Sequence, residues 1–270
     1  MVRCLSSDLV PSPSSDRITT TPRDFAAQVT LNTTVLALCG DAGGPTSGAG
    51  ALLARLLAAV PPQVPVATAL RLAEPRPARR SAGRRLVLEL GAMSGAVEGA
   101  LQGLAPAMLL LLNVPPADVA SCSRLAAQLL PGGALLACGD DAGAMAVVDA
   151  LRAHAGAGAA PRALITYGIG EDNDWRACNL TRQGAALSFD ITLRRGGRVS
   201  SARVTLPVDP ALDADHQVTA ALGALLATCM LDVGASHAAE GGHMDCVASA
   251  VDIPQLMASA GKAAAALNEP

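Results

Sequence analysis

Aromatic residues are nearly absent: 1% of 270 positions, with one Trp, one Tyr and two Phe. A core must then be assembled from Ala, Leu and Val, which bury less area per side chain than aromatic residues do. Hydrophobic residues make up 51% of the chain, so the material for such a core is present. Lysine is scarcer still, with Lys262 its single occurrence. A net charge of −3 excludes the basic footprint that nucleic-acid binding needs. The cluster Arg76, Arg79, Arg80, Arg84 and Arg85 lies among Pro75, Pro77 and Gly83 and reads as a solvated loop. Long apolar runs are missing too. The richest, Met108 to Leu112, is bracketed by Pro106 and Asn113, far short of the ~20 residues of a membrane span. The first 34 residues lack a signal-like apolar segment and read as a disordered leader. Together these point to a cytoplasmic protein that binds neither nucleic acid nor membrane, with organellar import left open.

The seven cysteines are scattered, odd in number and without a CxxC pair. That pattern fits buried, reduced thiols and no zinc ribbon. His237, His243, Asp245 and Cys246 are the one local group with metal-ligand chemistry, and their Gly/Ala surroundings read as a solvated loop.

What is present is alternation. Apolar strands are expected at Val35–Cys39, Leu86–Leu90, Ala107–Leu112, Ala134–Cys138 and Ala163–Tyr167. Helices are expected between them, over Ser47–Val60, Gly95–Leu104, Asp118–Leu130 and Ala142–His154. Wholly apolar strands separated by helices predict an α/β fold, a parallel sheet flanked by helices. The period then changes to two. Leu187, Phe189, Ile191 and Leu193 alternate with polar residues, Arg195-Gly196-Gly197-Arg198 makes a turn, and Val199–Leu206 returns. This predicts a small antiparallel sheet inserted at about 175–206, joined by a strand near Trp175–Leu180. Helices at His216–Leu231 and Pro254–Leu267 close a domain spanning 35–270.

The loop after the first strand, Gly40-Asp41-Ala42-Gly43-Gly44-Pro45-Thr46-Ser47, sits where a phosphate-binding loop belongs. Strand, glycine turn and helix aim backbone N–H groups at an anion. A working loop also has a lysine for the terminal phosphates and a Ser or Thr for Mg²⁺. Here those positions hold Gly44 and Pro45. Pro45 removes a backbone N–H as well as the hydroxyl.

The order of these features resembles the ATP-binding central domain of the Mur ligases, in a degenerate and truncated form. Gly40, Gly43 and Thr46 match the family's loop, with Ser47 able to take a hydroxyl role after a register shift. Glu89, at a strand end, matches its Mg²⁺-binding glutamate. Asn113, in Leu112-Asn113-Val114-Pro115, matches an asparagine whose metal-binding histidine neighbour is missing. Cys138-Gly139-Asp140-Asp141 resembles the Asn-x-Asp-Asp turn, with Asp141 its last carboxylate. His216 matches a residue set against adenine, while Gln217 and Ala220 replace asparagines. The resemblance therefore implies a vestigial nucleotide site at Gly40, Gly43, Gly44, Thr46, Ser47, Asn113, Asp141 and His216, and a vestigial Mg²⁺ ligand at Glu89. It also implies that the family's flanking domains are missing.

Scaffold positions persist while the positions that touch phosphate and metal have gone. The expected function is a non-catalytic binding or scaffold role with no catalytic residue and no cofactor, weak Mg²⁺-ATP at most. A protein partner or self-association is expected, through the final helix near Leu256 and Met257 and the surface about Leu231–Cys246. The alternative is an ATP-dependent acid–amino acid ligase, or a nucleotide-binding remnant of one, of the type that acts on peptidoglycan precursors. A second alternative is an S-adenosylmethionine-dependent methyltransferase, suggested by Val87-Leu88-Glu89-Leu90-Gly91-Ala92-Met93-Ser94-Gly95 and Leu130-Pro131-Gly132-Gly133-Ala134. It suffers from Met93 at the central glycine position and from an unneeded strand–loop–helix unit ahead of the motif.

Overall fold

The computed structural model describes residues 34–40, 66–71, 85–90, 105–130, 133–154, 163–195, 198–208 and 213–239. Nine strands form one sheet: β1 (Thr34–Cys39), β2 (Val66–Arg71), β3 (Arg85–Leu90), β4 (Met108–Leu111), β5 (Ala134–Cys138), β6 (Ala163–Gly168), β7 (Trp175–Gln183), β8 (Ala186–Arg195) and β9 (Arg198–Pro207). Their spatial order is β2-β3-β1-β4-β5-β6-β7-β8-β9. From β2 to β7 every pairing is parallel, and β7-β8-β9 is antiparallel. Three helices are described: α1 (Val119–Ala126), entered through a 3-10 turn at Pro116–Asp118, α2 (Ala142–His154) and α3 (Ala214–Ala239).

The parallel strands form because their side chains are apolar on both faces. β4 and β5 are buried at every position. Alternation along each strand divides the core in two. Cys39, Leu109, Leu111 and Leu135 face α1 and α2, meeting Cys122, Leu125, Val147 and Val148. Leu38, Leu110, Leu136 and Tyr167 face α3. From Ala220 to Met230 that helix has no charged residue on any side, and each residue there is buried, as a helical stretch without a polar face must be.

Tyr167 joins three elements, one of very few aromatics available to do so. Its hydroxyl donates to the Leu111 carbonyl on β4 at 2.8 Å. Its ring lies against Gly223 of α3, where an added Cβ would stand 3.0 Å from the phenol carbon and oxygen.

The α/β reading holds, and its antiparallel part is continuous with the parallel sheet. Trp175 and Arg176 of β7 pair in parallel with Tyr167 and Gly168 of β6. Because β7 begins where β6 ends, the hairpin extends beyond the C-terminal edge of the parallel strands. Other departures have local causes. β2 has no counterpart among the expected strands, since Ala67 and Ala69 dilute its alternation. Arg85 opens β3 and is not part of a loop. α1 ends at Ala126 instead of continuing to Leu130, because i→i−3 bonds at Gln128 and Leu129 tighten its last turn. α3 runs past Leu231 to Ala239, which places His237 in a helix. Gly234 is the one glycine in that stretch, and it costs about 1 kcal/mol, too little to stop a helix of 26 residues.

The expected leader and the helices at Ser47–Val60, Gly95–Leu104 and Pro254–Leu267 lie outside the described residues. So do His243, Asp245, Cys246 and the Arg76 to Arg84 cluster. Among the described residues no helix is long and apolar enough to cross a membrane, and no group of three or more His, Cys, Asp or Glu could hold a metal ion.

Candidate functional site

In an open α/β sheet, ligands gather at the carboxyl ends of the parallel strands. Several of the singled-out positions reach that edge. Gly40 follows β1, and its N–H donates to the Leu90 carbonyl of β3 at 3.3 Å. Glu89 stands in register with Leu38 of β1 and with Arg71 of β2. Gly40 and Glu89 thus share one edge on neighbouring strands. Leu112, beyond β4, donates its N–H to the Cys39 carbonyl at 3.0 Å, which brings half-buried Asn113 to the same edge. Gly43, Gly44, Thr46 and Ser47 lie outside the described residues.

Asp141 arrives at that edge from β5, and its carboxylate serves the backbone. Oδ1 accepts the Ala144 N–H at 2.7 Å, capping α2. The same oxygen accepts the Val114 N–H at 2.9 Å, tying the Asn113 turn to the helix start. An N-cap of this kind contributes about 1 kcal/mol. The approach is close: a Cβ on Gly143 would lie 1.8 Å from the Val114 carbonyl oxygen.

Asp140 does the same on the other side. Its Oδ2 accepts the Ile169 N–H, while Oδ1 accepts from Gly170 N and from Asn173 Nδ2, each at 3.0 Å. Asn173 is only 4% exposed, and it also donates to the Gly170 carbonyl at 3.2 Å. Asp174 accepts from Thr166 N at 2.9 Å and from Thr166 Oγ1 at 3.0 Å. This loop clamp was not foreseen from the sequence. A signal existed in the Asp140-Asp141 pair after a strand, but Asn173, the side-chain partner of Asp140, lies 33 residues downstream.

His216 lies in the first turn of α3. Gly223, which packs on Tyr167, comes two turns later, so His216 stands roughly 10 Å further along the axis at 1.5 Å per residue. Asp213 caps it, accepting the His216 N–H at 2.9 Å through Oδ1 and meeting ring Nδ1 through Oδ2. The His216 N–H, followed by its ring, holds the exposed Asp213 carboxyl below the usual carboxylate range. Gln217, in the same turn, donates to the Pro207 carbonyl and ties the helix head to β9.

The cysteines of this edge are unsuited to nucleophilic chemistry. A hydrogen bond with Cys122 that favours the protonated thiol, and then burial, push Cys39 well up. Burial raises Cys138 to about 11 and drives the Tyr167 phenol upward. A thiol held neutral is neither nucleophile nor ligand. The sign of the linkage is testable. Cys138 ionises near 9.0 when unfolded and near 11 when folded, so its contribution is complete below pH 9 and is lost as pH climbs through 11. Urea midpoints measured from pH 7 to 11 are expected to fall above pH 9, and Cys138→Ala to reduce that fall. An unchanged midpoint up to pH 11 would contradict the buried placement of Cys138.

No family model matches the chain. Over 86 residues it is 33% identical to UDP-N-acetylmuramate–L-alanine ligase from Frankia alni, a match covering 32% of this chain and 14% of that protein. In structure it is similar to MurF from Acinetobacter baumannii, with a TM-score of 0.55 and 17% identity over 88% of this chain and 47% of MurF. It is also similar to the murein peptide ligase Mpl of Psychrobacter arcticus, with a TM-score of 0.55 and 16% identity over 91% of this chain and 48% of that one. For the ligase MPL of Neisseria meningitides the TM-score is 0.55 at 18% identity, over 89% and 69% of the two chains. The chain thus spans about half the length of MurF and a small part of the curated relative. The resemblance to the Mur ligases is borne out in fold and over one stretch of sequence.

Proposed function

We propose that this Mur-ligase-like domain acts without catalysing ligation, as a binding or scaffold module whose nucleotide site is vestigial. The observation that carries the proposal is the pair Gly44-Pro45 in the glycine-rich sequence that follows β1, at the positions where a working phosphate-binding loop has lysine and a hydroxyl. Phosphoryl transfer is catalysed mainly by positioned positive charge, and the only lysine is Lys262. The described carboxylates support the same reading. Asp140 and Asp141 hold backbone amides, a structural task that persists without any ligand. The donor set does not fit Mg²⁺-ATP.

Loss of a preorganised charge in the transition state costs about 10²–10³ in rate. Phosphate release from Mg²⁺-ATP is therefore expected to stay at the background rate, with or without amino acids and acidic acceptors. Turnover above background that Glu89→Ala abolishes would overturn the proposal. The alternative, a ligase or a nucleotide-binding remnant, draws support from Gly40 and Glu89 sharing one edge, and that turnover would establish it. The methyltransferase reading has no use for β1, which here lies inside the sheet between β3 and β4.

A further inference from the structure

The two edges of the sheet are built differently. β2 is short, at six residues, and its pairing with β3 shifts register between Ala67 and Leu70. Short strands and irregularities are how proteins protect an open edge from further pairing. β9, the opposite edge, has ten residues and pairs with β8 at all ten positions from Arg198 to Pro207 without a break. It carries no lysine, the commonest guard of such an edge, and its proline stands only at the end.

The one charge in the middle of β9 is turned inward. Arg203 lies opposite Asp190 on β8 and donates to its Oδ1 through Nη1 at 3.1 Å. Through Nη2 it donates to Thr181 Oγ1 on β7 at 3.0 Å. The guanidinium thus reaches across two strands, away from the open side. Asn179 Nδ2 completes the group by donating to Asp190 Oδ2 at 2.8 Å. Between Val199 and Leu206 the sequence is otherwise Ser200, Ser201, Ala202, Val204 and Thr205, uncharged and rich in residues that favour strands. In an antiparallel ladder every second residue points its N–H and C=O outward. Among the described residues no strand takes up those of β9.

We infer that β9 pairs with β9 of a second copy of this chain, antiparallel about a two-fold axis, to make one continuous sheet from two. With Arg203, the one mid-strand charge, paired to Asp190 and Thr181 of its own sheet, the edge presents no unpaired charge to a second copy of itself. A two-fold contact uses the same patch on both copies and closes. The hairpin's projection past the parallel strands, fixed by the Tyr167–Trp175 pairing, leads this edge away from α1 and α2. The inference is independent of nucleotide binding and of the expected contact at Leu256 and Met257.

The test uses the full chain, with sedimentation velocity across a hundredfold concentration range and hydrogen–deuterium exchange at both ends of it. The expected result is a dimer whose formation slows exchange of alternate β9 amides by at least tenfold. Ser201→Lys combined with Thr205→Lys, which restores the missing guards, should weaken the dimer at least tenfold while circular dichroism stays unchanged. Should that double variant fail to fold, Thr205→Lys alone and the wild-type exchange data decide the matter. A monomer at every concentration overturns the inference, as does a dimer whose β9 amides exchange at the rate of an open edge.

Discussion

Replacing Gly143 by alanine should cost about 3 kcal/mol or more of stability. The new carbon would sit 1.8 Å from the Val114 carbonyl oxygen, and that oxygen is backbone, so α2 has to withdraw. Overpacking of this kind costs about 1–3 kcal/mol. Withdrawal also loosens Asp141, which holds Val114 N–H and Ala144 N–H together. Val114 is 3% exposed, and a buried N–H left without a partner costs a further 1–3 kcal/mol or so. Gly184→Ala provides the contrast. Its Cβ would meet nothing within 4 Å, and the φ of +59° supplies the only strain, about 1 kcal/mol. Urea unfolding followed by circular dichroism compares the two variants directly. A Gly143→Ala protein as stable as wild type would show that α2 does not abut the Asn113 turn.

Changing Gly44 to Lys together with Pro45 to Thr should create Mg²⁺-ATP binding where the wild type is expected to have almost none. A charge-assisted contact to phosphate is worth about 1.5–3 kcal/mol, which is roughly 10–150-fold in affinity. Removing Pro45 also returns one backbone N–H to the loop. The double variant should therefore bind at least tenfold more tightly, and fluorescence titration with a labelled nucleotide reads the change. No gain would mean that the loss at this edge extends beyond two side chains.

The sequence made β1, β3, β4, β5 and β6 legible because each is a short, largely apolar run. β5 and α2 match their expected bounds at both ends. β2 escaped because alanine carries little hydrophobic contrast, and the far end of α3 escaped because Gly234 reads as a stop although one glycine costs only about 1 kcal/mol. Continuity of the sheet rests on two residue pairs at Tyr167–Trp175 and Gly168–Arg176, which no periodicity announces. At the carboxyl edge of the sheet, Gly40, Glu89, Asn113 and Asp141 stand out by residue identity, and the fold brings these four to one edge. Their identities did not signal use. Asp141 matched a family carboxylate, yet its oxygen holds Val114 and α2. The bond from Tyr167 to the Leu111 carbonyl spans 56 residues, and only the fold brings that pair together.

Calorimetric titration of the purified wild-type chain with Mg²⁺-ATP tests the central claim most directly. With no lysine in the loop and Pro45 at the hydroxyl position, saturable heat should be absent below about 1 mM, equivalent to less than about 4 kcal/mol of binding free energy. A dissociation constant in the micromolar range would show that another residue supplies the missing charge and that the site is a working one.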